Sequence, residues 1–188
     1  MKFCNRKCRG YSTRLAIRGA MDSYLERLQQ AIASATRGMT TEELTRHPEG
    51  KWCAAEVLEH LYLTYTGTVK AFERCLKAGK PLAGVPTFKQ RLAVALVTEL
   101  GYFPRGRKSP DPVCPRGMPA EKVLADIGPQ ITAMDKLIAQ CEQRYGSRIK
   151  ILDHPILGPQ TARQWRRFHW VHGRHQVKQI RESQQTST

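Results

Sequence analysis

The chain's 188 residues, 40% hydrophobic and 25% charged, make one domain of ordinary globular composition and exclude wholesale disorder. No run approaches the roughly 18 apolar residues of a membrane span, the longest being Leu92 to Val97, and no repeat of about 20–50 residues marks a solenoid. The formal net charge of +15 is concentrated in three pieces, +6 in residues 1–20, +3 in 101–118 and +5 in 161–188, so the central body is nearly neutral. Such a balance suits nucleic acid, an anionic surface or acidic ligands, and equally basic tails kept for solubility.

Residues 1–20 are Arg-rich and acid-free, without the apolar stretch of a secretory signal. They are expected to be an extension outside the fold, with the domain spanning 21–183 and a frayed tail over 184–188. Met21-Asp22-Ser23 opens a periodic run in which Met21, Tyr24, Leu25, Leu28, Ile32 and Ala35 share one helical stripe, ended by Gly38. Thr40 and Glu43 form a capping-box pattern for a short helical turn, and His47-Pro48-Glu49-Gly50 breaks the chain.

A second long helix is predicted from about Ala54 to Ala78, with Val57, Leu58, Leu61, Tyr65, Phe72 and Leu76 on its inner face. Gly79, Lys80 and Pro81 stop it. Residues 87–100 read as a shorter helix. The proline-rich stretch 101–118 reads as a long irregular connection. A third long helix over about Pro119 to Cys141 carries Val123, Leu124, Ile127, Ile131, Met134 and Ile138 inward, with a kink expected at Gly128-Pro129. Residues 144–160 read as a loop, with only a weak strand signal at Ile149 to Leu152. The last helix opens at the capping box Thr161-x-x-Gln164 and carries Trp165, Phe168, His169, His172, Gln176 and Ile180 at helical spacing. The expected class is all-α: an up-down four-helix bundle with extra short helices.

The six cysteines are irregularly spaced, and the chain is long enough to build a core without disulfide staples. Cys75 and Cys141 fall on helix stripes, where free cysteine acts as a small hydrophobe. Cys4-x3-Cys8 has no second pair. Reduced thiols and a cytoplasmic location are the expectation.

Histidine placement carries the chemical signal. His169, His172 and His175 lie within seven residues on the last helix, where positions three and four apart share a face. His60 lies on the stripe of the second long helix, four residues after Glu56. If these helices are neighbours, His60 and His172 converge in the core as a pocket for a divalent metal ion. Such histidines also occur as core residues bonded to carbonyls, or on solvated basic helices. Glu56 is either a carboxylate orienting His60 or a solvated residue. His47-Pro48 and His154-Pro155 read as turn and cap chemistry, and Trp52 and Trp165 as core anchors.

Trp52-Cys53-Ala54-Ala55-Glu56-Val57-Leu58-Glu59-His60-Leu61, followed about a hundred residues later by His154-Pro155-x-Leu157-Gly158, Trp165 and His172-Gly173-Arg174-His175-Gln176, resembles the helix motifs of the DinB-like (YfiT-like) superfamily over about Met21 to Glu182. The resemblance implies a four-helix bundle, usually a homodimer, that binds a divalent metal ion (Zn, Ni, Mn or Fe) through three histidines. One lies on the second helix and two lie at i and i+4 on the last. Some such proteins transfer a low-molecular-weight thiol activated on the metal, so a thiol S-transferase or hydrolase-like activity is implied. Residue by residue, His60 and His172 match two ligands, but the third position holds Gln176. Its neutral amide oxygen is a poor zinc ligand. Either Gln176 serves, or His175 at i+3 replaces it, or two histidines act with water, or the site is degenerate. No P-loop, dinucleotide fingerprint, nucleophile elbow or HExxH occurs.

Two other functions remain open on the residues alone. Arg163, Arg166, Arg167, Arg174, Lys178 and Arg181 with the 101–118 loop could form a basic face for nucleic acid, although no motif for sequence-specific reading is present. The other is a non-catalytic bundle that dimerises or binds a small ligand.

Overall fold

A computed structural model describes residues 21–102 and 109–185. The proposed extension 1–20 lies outside the described residues. Among the described residues, six α-helices run in the order α1 (Ser23–Thr36), α2 (Thr41–Thr45), α3 (Ala54–Ala78), α4 (Phe88–Val94), α5 (Ala120–Tyr145) and α6 (Ala162–Gln185). A π-helical turn (Ala95–Glu99) extends α4, and a 3₁₀ turn (Asp111–Val113) precedes α5. Strands β1 (Leu152–His154) and β2 (Gly158–Gln160) form an antiparallel ribbon.

Local chemistry sets the helix ends. Asp22 accepts from the Tyr24 N–H at 2.9 Å and starts α1. Thr40 and Glu43 close the expected capping box, and Thr87 with Gln90 and Thr161 with Gln164 form two more. Gly79 stops α3 in the left-handed conformation at φ 71°.

The long helices α1, α3, α5 and α6 bury the stripes read from the sequence: Leu25, Leu28, Ile32 and Ala35 from α1, Val57 to Phe72 from α3, Val123 to Ile138 from α5, and Trp165 to Ile180 from α6. The chain is therefore an all-α helical bundle. Cross-links fix the helix directions. Asp22 meets Arg166 at the starts of α1 and α6, and Gln184 donates to the Ala35 carbonyl at their ends, so these two are parallel. Glu59 bonds residues just before α5, while Tyr145 donates to the Cys75 carbonyl, so α3 and α5 are parallel too. His60–His172 and Phe72–Trp165 contacts run α3 antiparallel to α6. The order is thus up-down-down-up, which keeps the expected helical bundle but replaces the simple up-down alternation expected from the sequence. Two consecutive parallel helices need a connection that returns the length of a 25-residue helix, about 37 Å, which is why the segment between α3 and α5 is long.

Three further sequence readings change. Helix α5 runs on to Tyr145, past the end expected at Cys141. The loop at 144–160 contains the β1–β2 ribbon, whose strand begins at Leu152 where the apolar signal of Ile149 to Leu152 ends. Helix α6 extends to Gln185, because Gln184 is tied to α1.

Candidate metal centre

His60 sits two turns into α3, and His172 sits midway along α6 on the facing stripe. Their Nε2 atoms approach to 3.1 Å, and their rings meet edge to face with centroids 5.1 Å apart. Gln176, one turn beyond His172, places its amide nitrogen 3.3 Å from the same His172 Nε2. All three residues are buried, at 4%, 5% and 6% exposure. The structure thus brings together His60, His172 and Gln176. His175 is half-buried, lines the surface groove of Trp170, Arg174 and Lys178, and has its Nε2 3.1 Å from Gln179 Nε2.

The surroundings fix the ring orientations. The Val113 carbonyl, in the 3₁₀ turn, lies 2.9 Å from His60 Nδ1 and accepts its proton. This turns the His60 Nε2 lone pair toward His172. Trp52 packs on the His60 ring at 5.4 Å, and Phe168 stacks on His172 at 5.6 Å and 8°. His169 is not part of the trio. Its Nε2 lies 3.2 Å from Thr68 Oγ1, and its ring stacks on Trp165. His154 Nδ1 accepts from the Ile156 and Leu157 N–H groups at 3.1 Å, the turn role expected of it.

Burial holds these imidazoles neutral. It lowers His60, with the Val113 hydrogen bond opposing. His172 lies well below the ordinary histidine range through burial first, then His60 and its other histidine neighbours. His169 is pushed down to about 3 by burial and the charge of His154, and His154 to about 4 by burial. Neutral imidazoles keep a lone pair for a cation.

The trio's hydrogen bonding is frustrated. With its Nδ1–H given to Val113, His60 Nε2 is an acceptor. His172 Nε2 cannot both donate to His60 and accept from the Gln176 amide N–H. The Gln176 Oε1 is itself buried without a partner. Rotating the amide by half a turn exchanges its oxygen and nitrogen, and three electron-pair donors then converge. A divalent cation satisfies all three, so the residues present fit one.

Sequence reasoning missed the group that positions this site. Glu59, 1% exposed, accepts from the backbone N–H groups of Arg116, Gly117 and Met118 at 2.7, 3.0 and 3.0 Å. It pins the segment that follows the Val113 turn against α3. The only sequence hint is an acidic residue beside His60. Glu56 does not orient His60. It accepts from the Cys53 N–H at 2.9 Å and lies 3.5 Å from His47 Nδ1.

The basic face is also redistributed. Arg166 is buried, bonding Asp135 at 3.0 Å and Glu142 at 2.6 Å. Arg167 pairs with Glu99 and Lys178 with Glu182. Cys75 and Cys141 are buried free thiols, as their stripe positions suggested. No helix among the described residues is long and apolar enough to cross a membrane.

A family model described as "Protein of unknown function (DUF1569)" matches residues 19–183. Neither a curated protein nor a solved structure gives a match.

Proposed function

The chain belongs to the DUF1569 family, and we propose that it is a divalent-metal-binding helical-bundle protein whose ion is held by His60, His172 and Gln176. The observation that carries this reading is the 3.1 Å approach of two neutral imidazole Nε2 atoms with a buried amide oxygen beside them that has no hydrogen-bond partner. The resemblance of the two histidine helices to the DinB-like superfamily supports it from the sequence side. A metal bound there would supply Lewis acidity, lowering the pKa of a coordinated low-molecular-weight thiol or water. The chain's own residues do the rest. Val113 holds the His60 tautomer, Glu59 holds the Val113 segment, and the buried surroundings strengthen every charge interaction at the site. Thiol S-transfer, or hydrolysis by the same activation, is the activity class we attach to it.

A second reading, a non-catalytic bundle with a weakened site, is favoured by Gln176 and by the near-complete burial of the trio. Competitive titration of Zn, Ni and Mn into the native chain and Gln176→His separates the two. Stoichiometric binding by the native chain that is lost in His172→Ala and little changed by Gln176→His supports the intact site. Binding that appears only in Gln176→His supports the degenerate one, and no binding by either chain removes the metal reading.

A homodimer, the partner implied by the same resemblance, gains support from α4. Phe88, Leu92, Leu96 and Leu100 repeat every four residues along α4 and its π turn, and they are exposed at 82%, 54%, 38% and 74%. A solvated apolar stripe of that length suits a protein interface. Sedimentation of the native chain and Leu92→Lys tests it, with a monomeric native chain the refuting result.

A further inference from the structure

Beyond the trio, another group of ligand atoms converges where α3 begins. His47 comes from the turn after α2, Cys53 is the residue that caps α3, and Glu56 stands one turn in. One imidazole nitrogen, the thiol sulfur and one carboxylate oxygen lie within 4.8 Å of one another. The local sequence explains part of this. Glu56 reaches back to the Cys53 N–H, as an acidic residue three places into a helix does. That bond leaves the carboxylate with further lone pairs, and the thiol beside it belongs to the same capping box, but the cap does not account for the His47 ring 3.5 Å away.

We propose that His47, Cys53 and Glu56 form a second cation site, suited to a borderline thiophilic ion such as zinc. The donor set is one sulfur, one nitrogen and one oxygen, as in zinc sites with an open fourth position. A tetrahedral ion with ordinary zinc bond lengths requires ligand atoms about 3.3–3.6 Å apart. The His47–Glu56 distance already meets this, and from the 4.8 Å limit the sulfur must close by about 1.2 Å at most. On binding, the Cys53 S–H bond breaks, the sulfur–metal bond forms, and the proton passes to solvent. Thiolate and carboxylate together neutralise the divalent charge. Cys53 is buried and His47 exposed, so the sulfur is shielded while the open position faces water. The site is separate from the trio. Cys53 and His60 are seven residues apart, about 10 Å along α3.

Cobalt titration of the full reduced chain tests this independently of the His60–His172 reading, because only a thiolate ligand gives a near-ultraviolet sulfur-to-cobalt charge-transfer band. The band is expected to saturate at about one equivalent, to vanish in Cys53→Ser, and to persist in His172→Ala. Glu56→Gln retains the capping bond, because glutamine also serves at that position. It is expected to weaken cobalt binding at least tenfold with helicity unchanged by circular dichroism. The proposal is overturned if the native chain gives no band, if the band survives in Cys53→Ser, if a folded Glu56→Gln binds cobalt as tightly as the native chain, or if a folded His172→Ala loses it.

Discussion

Acid should unfold this bundle through its buried histidines. His154, His169 and His172 are held neutral in the fold, with His154 at about 4, His169 at about 3 and His172 well below the ordinary range. In the unfolded chain each titrates near 6.5. Below about pH 6.5 the unfolded state therefore binds more protons than the native state, and stability falls as pH falls. The loss continues until each folded pKa is reached, near 4 for His154 and near 3 for His169. Around pH 5 unfolding takes up about three protons, which corresponds to a slope of roughly 4 kcal/mol per pH unit. One to two pH units below 6 therefore remove about 4–8 kcal/mol, a large part of a typical total of about 5–15 kcal/mol. Urea titrations by circular dichroism at pH 7.5, 6.5, 5.5 and 4.5, in chelator, measure the slope. A midpoint unchanged between pH 7 and 5 would refute the buried-neutral assignment.

Glu59→Gln replaces a carboxylate that accepts three backbone N–H groups by an amide that sets its own N–H against them. A loss of about 2–4 kcal/mol in urea unfolding is expected, with metal affinity down about 10–100-fold as the Val113 segment loosens. Stability equal to the native chain's would contradict this. In Gly173→Ala the new Cβ would lie 2.1 Å from Leu28 Cδ1, and Leu28 is fully buried. Overpacking costs about 1–3 kcal/mol, while the better helix former returns up to about 1 kcal/mol. The melting temperature should fall by a few degrees, and a rise would show that α1 and α6 are less tightly packed than the structure shows.

The four long helices were legible because their apolar residues recur every three or four positions, and nearly every residue of those stripes is buried. His60 and His172 were legible for the same reason, as histidines sitting where apolar residues belong. The helix order was less legible. Spacing shows that α3 and α5 each have an inner face but not that they run parallel, which depends on cross-links such as Tyr145 to Cys75. His175 and Gln176 are adjacent in sequence and both near the stripe. Only the packing of α6 decides that Gln176 is buried beside His172 while His175 lines the groove. Arg166 read as part of a basic surface, because a sequence shows its charge but not the carboxylates of Asp135 and Glu142 that reach it from α5. Glu59 and the His47–Cys53–Glu56 group depend on chain segments meeting across irregular turns, which no periodicity records.

The decisive measurement is the metal content of chain purified without chelator or affinity-tag metal. It is best made in the Cys53→Ser background, where the cap-region site is disabled. About one equivalent of Zn, Ni, Mn or Fe is expected there, falling to near zero when His172→Ala or His60→Ala is added. Equal metal content with and without those histidines, or none at any stage of titration, would contradict a metal held between α3 and α6.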